Sequence, residues 1–381
     1  MTGANQNKLV KHLIWWLSML VWIAAGAASY LFILNRLLIQ LRDKRHKSFL
    51  VRAGGLLSVG FSALLGARAS RTGWGMLPAA ALVLAFVGEV RRLLLRTRHR
   101  GAPPVAEEGP SVRLNKPQTT TDLVLRQYEV RVPSWRGPAV RVAHVSDFHL
   151  NSHLPLSYFQ DAMHRVAAKQ PDLLLITGDF VTHAEFIPLL AEVLPIAQGR
   201  LGSFGVLGNH DTWADAPAVR EAANAAGVCM LSKGSVRVPL ADGASILLAG
   251  DEHPWGDGVW RQPDRMPGEL AFLLTHTPDN IHRPQRMMFD AVFAGHYHGG
   301  QMRVPGIGAL VMPSKYGRQY DGSHFVFGRT HLFVTAGVGS AEPPLRIWCQ
   351  PDILLVDFLP DGDDVRFGAT WSDDRPEAQG L

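Results

Sequence analysis

The hydrophobic positions of this chain fall into two regimes. Before residue 100 they come in long blocks. Leu13 to Leu34 is almost unbroken, with Ser18, Ser29 and Tyr30 as mild interruptions, and Ala53 to Ala67 and Trp74 to Val90 follow. A helix crosses a bilayer with about 20 apolar residues, a length the first block meets. The second and third are shorter or glycine-rich, so a buried helical hairpin competes with two further spans. For the first block a cleaved leader also competes, since Lys8 and Lys11 resemble a basic n-region. Its length, and the missing small-x-small pattern before Asn35-Arg36, argue against that.

From Val124 onward the apolar runs shorten and alternate with helical spacing. Val140 to Val145, Leu173 to Ile176, Phe204 to Leu207, Ile246 to Ala249, Phe272 to Leu274, Ala291 to Phe293 and Leu332 to Val334 predict buried strands, each closed by turn residues. Leu156 to Lys169 has helical spacing, and Ala216 to Ala226 is alanine-rich with Pro217 near its start. Strand-helix-strand alternation predicts sheets covered by helices. Gly101 to Thr121, with Pro103-Pro104 and Pro110, reads as a linker, and the Asp/Gly/Pro-rich tail reads as loosely ordered. The organisation expected is therefore a membrane region of three transmembrane helices (1–100), a linker (101–121), an α/β domain (122–360) and a flexible tail (361–381).

Charge sharpens that division. Residues 1–100 carry 15 Lys/Arg against only Asp43 and Glu89, a net of +13, while the remainder carries 23 basic and 31 acidic residues, a net of −8. The sequence pI of 9.4 thus belongs to the N-terminal region. A catalytic domain with a net negative balance is a poor nucleic-acid binder, because neutralising phosphates needs clustered Lys/Arg. Cys229 and Cys349 form no C-x-x-C pattern and read as two core thiols.

The candidate chemistry sits just past the strand ends. Gly295-His296-Tyr297-His298-Gly299 follows Ala291 to Phe293; Asp147-Phe148-His149, Gly178-Asp179 and Gly208-Asn209-His210-Asp211 close runs of their own. In open α/β sheets ligands bind outside the carboxyl ends of the strands, so these turns predict one edge rich in His, Asp and Asn. Such a set can hold two divalent cations sharing one carboxylate. His276 closes the run Phe272 to Thr275; His253 and His282 lie in the same interval but close none.

In that order, D-x-H, G-D, G-N-H-D, a single His and G-H-x-H, the motifs resemble the calcineurin-like metallophosphoesterases over roughly Gln127 to Leu359. Ala294 to Gln301, Pro313 to Tyr320 and Cys349 to Ile353 are similar, more narrowly, to a bacterial membrane-associated branch that includes phosphodiesterases and one type of UDP-2,3-diacylglucosamine pyrophosphatase. The resemblance implies an α-β-β-α sandwich with two mostly mixed sheets. It also implies a metal set of Asp147 and His149 on the first cation, Asp179 bridging, Asn209, His276 and His296 on the second, and His298 on the first. His210 is expected to face the phosphate as a proton donor, with Asp211 holding its ring. The other eleven histidines read as structural or surface residues, with His183 a substrate contact through its nearness to Asp179.

The mechanism implied is attack on phosphorus by a metal-bound hydroxide, and mixed imidazole and carboxylate ligation suits Mn, Fe or Zn. No G-x-S-x-G or C-x₅-R pattern offers a nucleophile of its own. Ser314 to Tyr320, with Lys315 and Arg318, is a candidate for phosphate or headgroup contact. A membrane anchor favours a lipid-linked phosphodiester or pyrophosphate, since tethering raises the local concentration of membrane substrates. A phosphomonoesterase of phosphoproteins or small molecules, and a metal-binding envelope module with incidental hydrolysis, are the rival readings. If all three blocks span, the heavily basic segments after the first and third lie on one side. The positive-inside rule then predicts a multi-pass protein of the bacterial inner membrane with a cytoplasmic catalytic domain.

Overall fold

A computed structural model describes residues 3–36, 44–69, 78–240, 243–256, 260–283 and 288–361. The three apolar blocks lie on three helices: α1 (Gly3–Arg36), α2 (Lys44–Ala69) and α3 (Ala79–His99), with residues 74–77 of the third block outside the described residues. Only Lys8–Leu31 of α1 is long and apolar enough, among the described residues, to cross a membrane. The glycines and serines of α2, and the Glu89-Val90-Arg91-Arg92 junction of α3, dilute the other two below that level. α1 packs against both α2 and α3, and Ser58 Oγ donates to the carbonyl of Gly26 across the first pair, 2.8 Å. Their outer surfaces stay apolar: Leu20, Leu57 and Phe86 are 56%, 70% and 69% exposed.

Beyond α3 come β1 (Ala106–Glu108), β2 (Val124–Val132), β3 (Val140–Val145), α4 (Leu156–Ala168), β4 (Leu173–Ile176), α5 (Leu190–Val193), β5 (Ser203–Gly205), α6 (Asn209–Ala225) and β6 (Val228–Met230). Then follow β7 (Ser235–Pro239), β8 (Ser245–Asp251), β9 (Leu270–Thr275), β10 (Ala291–Ala294), the short pair β11 (Arg303–Val304) and β12 (Gly308–Ala309), β13 (His324–Phe327), β14 (Thr330–Val334) and β15 (Asp352–Pro360).

These strands build two mixed sheets. The first runs β1-β2-β15-β3-β4-β5-β6, and the second β13-β14-β10-β9-β8-β7. β3 to β6 are parallel to one another, as are β8, β9, β10 and β14, and antiparallel strands close the other three edges, β1 in the first sheet and β13 and β7 in the second. The last strand, β15, threads into the middle of the first sheet, parallel to β2 and antiparallel to β3. Its two buried carboxylates are paired from the neighbouring strands, Asp352 by Arg126 and Asp357 by Arg141, which spares them the desolvation penalty of a lone buried charge.

Alternation along β3 shows how the layers form. Val140 and Val142 enter the core between the sheets with Phe272, Phe293, Phe333 and Phe358. Ala143 and Val145 face the helical layer, where Phe159, Met163, Val193 and Val219 cover the first sheet. The outer face of the second sheet is closed differently. It buries Leu247, Leu273 and Val292 under Ile281, Tyr297 and Tyr320, which come from a 3₁₀ turn (Pro278–His282) and the irregular segment after β10. The expected helical cover is thus replaced there, among the described residues, by loops weighted with aromatics. Cys349 is buried as a core thiol, whereas Cys229 is exposed on β6, an edge strand, which corrects its reading as a core residue.

Candidate metal centre

The parallel strands of both sheets point their carboxyl ends at one edge. There β3 leads into Asp147 and His149, β4 into Asp179, β5 into Asn209 at the start of α6, β9 into His276, and β10 into His296 and His298. Asp147, His149, Asp179, His276, His296 and His298 form two groups that share Asp179. One comprises Asp147, His149, Asp179 and His298; the other Asp179, His276 and His296. Within each group the ligand atoms lie within 4.8 Å of one another.

The backbone is bent to achieve this. Asp147, His149, Asp179, His296 and His298 all have positive φ, between 46° and 68°, a region that side-chain-bearing residues seldom adopt and that structures tolerate chiefly where function requires it. Glycines permit the close approach of the turns. A Cβ on Gly178 would lie 2.4 Å from the amide nitrogen of Gly208, and one on Gly295 would lie 2.1 Å from Asp147 Oδ2.

Inside the groups, imidazole nitrogens face each other: His149 Nε2 and His298 Nε2 are 3.0 Å apart, and His296 Nδ1 and His276 Nε2 are 3.1 Å apart. Asp179 Oδ2 lies 3.4 Å from His149 Nε2 and 3.2 Å from His276 Nε2, so one carboxylate oxygen serves both groups. Asp147 Oδ1 lies 3.2 Å from His298 Nε2. Separations near 3 Å are what donors spaced around a cation at about 2.1 Å produce. Asn209 adds a further sign: its Oδ1 is buried with no hydrogen-bond partner among the described residues. A buried carbonyl oxygen left without a donor is rare enough to require an explanation. A cation meets that need, and the donor set of imidazoles, carboxylates and an amide oxygen fits a borderline divalent metal.

Charge is distributed unequally. Burial pushes the His149 imidazole down to about 3 and holds His298 well below its usual value, leaving both neutral. Burial would also lower His276, but the carboxylates of Asp179 and Asp147 outweigh it and raise this ring to about 9. Burial acts against Asp179 too, yet His276, His210 and His149 hold it well below the ordinary range. Asp147 is pushed up to about 6 by burial.

Of the remaining expected residues, His210 stands at the site, its ring 4.5 Å from that of His149. Asp211, expected to steer that ring, is engaged elsewhere: Oδ1 accepts from the amides of Phe180 and Val181, and Oδ2 from that of Gly208. It therefore cross-links the turn bearing Asp179 to the turn bearing Asn209 and His210. Burial, reinforced by Asp179, pushes it up to about 7. His183 is exposed next to Thr182, whose hydroxyl lies 3.4 Å from His149 Nδ1. Lys315 is exposed, with its amide bonded to Asp279. Arg318 is half-buried, its guanidinium donating to Glu89 of α3 and to the carbonyl of Ala309, so the acidic residue of α3 supplies its counter-charge.

Three residues escaped the motif reading. Trp255 lies against His296 and His276, with ring centroids 5.0 and 5.6 Å apart, and Trp213 lies 4.9 Å from His210. Arg346 is fully buried behind His298, donating to the carbonyls of His298, Ala336 and Gly339 and approaching His298 Nδ1 at 3.4 Å. No periodicity or spacing marks such residues; the tryptophans' only signal was their place a few residues beyond a strand end.

Comparison with known proteins completes the picture. Residues 140–300 match the family described as calcineurin-like phosphoesterase. The chain is 29% identical over 225 residues to the metallophosphoesterase YkuE of Bacillus subtilis, covering 56% of this chain and 77% of that protein. It is 28% identical over 232 residues to the phosphodiesterase YaeI of Escherichia coli, covering 58% and 82%. The UDP-2,3-diacylglucosamine pyrophosphatase LpxG of Chlamydia trachomatis is 25% identical over 215 residues, covering 44% and 65%.

Proposed function

The chain carries a calcineurin-like metallophosphoesterase domain and is a metal-dependent phosphoester hydrolase; from that premise we propose that it cleaves a phosphodiester or pyrophosphate bond of a lipid-linked substrate at a membrane. The observation that carries the reading is the pair of buried His/Asp groups joined through Asp179. In this reading Asp147, His149 and His298 hold one divalent cation, Asn209, His276 and His296 hold a second, and Asp179 bridges them. When bound, the cations supply charge for the phosphoryl oxygens and lower the pKa of water to near neutrality. The protein's own part is orientation. Asp179 Oδ1 accepts from the amide of His210, 2.8 Å, fixing that residue beside His149 so that its ring can give a proton to the leaving oxygen. Trp255 lies beside His276 and His296 and Trp213 beside His210, and exposed His183 and Lys315 are assigned to substrate contact.

The names of YaeI, a phosphodiesterase, and LpxG, a pyrophosphatase acting on a diacylated nucleotide sugar, support the choice of bond and of an acylated substrate. Membrane attachment is supported by the composition of α1 and by the exposed apolar surfaces of α2 and α3. The cytoplasmic side is our reading for the case in which all three helices cross, supported by the excess of Lys/Arg after the first and third.

The deciding experiment strips the full-length protein with a chelator and reloads it with Mn²⁺. It then compares turnover of a chromogenic diester, a chromogenic monoester, and an acylated and a deacylated pyrophosphate-linked sugar. Metal-restored hydrolysis of the diester above the monoester, with a lower KM for the acylated sugar, is the expected result. Preference for the monoester, or indifference to acylation, overturns the substrate assignment. For the side of the membrane, a fusion after Leu381 that is active as alkaline phosphatase and dark as a fluorescent protein overturns the cytoplasmic placement.

A further inference from the structure

Helix α3 carries two different faces. Glu89, Arg92, Arg96 and His99 recur at intervals of three and four, and all four reach the catalytic domain. Glu89 accepts from Arg318, Arg92 donates to the carbonyls of Ile307 and Arg318 at 3.2 and 3.3 Å, Arg96 pairs with buried Asp321 at 3.0 Å, and the ring of His99 stacks on Phe327 at 4.4 Å. Such a set of desolvated ion pairs and ring contacts holds α3 as a fixed part of the domain rather than as a loose tether. Val83, Phe86, Val87, Val90 and Leu94 also recur at three and four, on the other side of the helix, and are between 39% and 69% exposed.

That apolar stripe does not stop where α3 meets the domain. Leu93 continues it into a groove of about 310 Å³ lined also by Arg96, Val112, Leu114, Ile307 and Trp348. Val112 and Leu114, in the segment that precedes the domain, and Ile307, within it, are 47%, 72% and 50% exposed. Arg96 and Arg303 line the groove itself, and Arg91, Arg98 and Arg100 of the same helix end and Arg113 between Val112 and Leu114 are exposed. Neighbouring carboxylates are already paired: Glu89 with Arg318, Glu107 with Arg126, Glu108 with Lys169 and Asp321 with Arg96. An apolar row rimmed by arginines is the composition of a surface that sits at the headgroup level of an anionic bilayer.

We infer that this face, where α3 joins residues 112–114 and 305–307, rests on an anionic lipid surface and that its groove takes up part of a lipid. The inference rests on the proposed membrane attachment of the N-terminal helices and adds to it a fixed height and orientation for the domain. Continuity decides for lipid over a protein partner. The row runs from the apolar half of α3 through Val90 to Leu93, which lines the groove, and the cations of α3 begin at Arg91. A domain fixed to α3 must therefore meet the headgroups at that point. Leu114 and Ile307 then insert among them, with the arginines facing lipid phosphates.

The test uses the full-length protein in nanodiscs of phosphatidylcholine, with or without phosphatidylglycerol. Single spin labels are placed at Leu114→Cys, Ile307→Cys, Glu192→Cys or Leu20→Cys in a Cys229→Ser background; Cys349 is buried. Power saturation reports access to oxygen, which partitions into lipid, against an aqueous nickel complex. At positions 114 and 307 access to nickel should fall several-fold below that at 192 in phosphatidylglycerol discs, and less so in neutral discs. Adding Leu114→Asp should restore nickel access to the label at 307. Labels at 114 and 307 as water-exposed as the one at 192, while the label at 20 stays in the lipid core, overturn the docked face and leave the anchor standing. A water-exposed label at 20 sinks both. Equal shielding in neutral and anionic discs overturns the recognition of anionic lipid.

Discussion

The two ligand groups share a carboxylate yet differ in enclosure and in charge. Around His149 and His298 the side chains are sealed, with Arg346 and Thr182 behind them and both rings left neutral by burial. Around His276 and His296 the site opens: His296 is only half-buried, Trp255 lies over both rings, and the carboxylates hold His276 up at about 9. An enclosed group whose rings are already neutral accepts a cation without its imidazoles first giving up a proton, and keeps it from solvent. The other group must lose the His276 proton before its ring can bind metal, and its His296 is the more solvent-accessible ligand. In the proposed two-cation centre this difference is a division of labour: the His149/His298 side is the fixed anchor, and the His276/His296 side is the adjustable one.

Removing the shared residue should erase the distinction altogether. Asp179→Asn is expected to lower occupancy of both groups and to cut diester turnover on the order of 10⁴-fold, the worth of several kcal/mol of charge stabilisation in the transition state. Elemental analysis of the purified variant beside its turnover checks this; two metals per chain with normal rates would refute the bridging role. His210→Ala removes no member of either ligand group. It should retain both metals and lose roughly 10² to 10⁴ in rate, with a much smaller loss for good leaving groups. An equal loss across leaving groups counts against proton donation.

A selective effect sharpens the comparison further. Arg346 is a positioning residue of the enclosed group only, so Arg346→Met should weaken that group's metal affinity by about 10- to 100-fold, as loss of an outer partner commonly does. The other group should be unaffected. At limiting Mn²⁺ one of two sites should empty, seen as loss of the spin-coupled pair signal with one ion retained, and Arg346→Lys should recover part of the affinity. Equal weakening of both groups would show that Arg346 supports the fold generally.

These residues differ in how visible they were beforehand. Asp147, Asp179, His276 and His296 each close a short apolar run, so a pattern of buried strands ending in turns brings them to one edge before any coordinates are known. Strands β3 and β4 and helix α4 follow directly from such runs. Helix α6 was harder to place: Pro217 suggested a start near residue 216, whereas the helix begins at Asn209 and is interrupted at Asp215, where φ is −171°. The position of β15 between β2 and β3 is a long-range pairing that no local pattern encodes. Arg346 was hidden for a related reason, since a single arginine in an irregular segment gains its meaning only from the carbonyls that converge on it. The loops over the second sheet owe their stability to aromatic burial without a helical period, so helical cover was the natural expectation and the wrong detail.

The smallest effect probes the floor beneath the open group. His144 on β3 is fully buried in the core between the sheets, with Nε2 2.9 Å from Thr177 Oγ1, and the carbonyl of Thr177 lies 2.6 Å from His276 Nδ1. Burial pushes His144 down to about 3 from an ordinary 6.5. The unfolded chain therefore binds the extra proton first. Stability from this residue is complete above pH 6.5 and declines as pH falls towards 3, at up to about 1.4 kcal/mol per pH unit. His144→Leu removes the titration and the bond to Thr177 together. At pH 7 the metal-stripped wild type should melt a few degrees above the variant, and the gap should narrow steadily between pH 6.5 and 4. Stripping the metals isolates this residue from ligands that release cations in acid. A gap that stays constant with pH would mean that water reaches His144, and that the wall beneath His276 is as open as the side bearing His296.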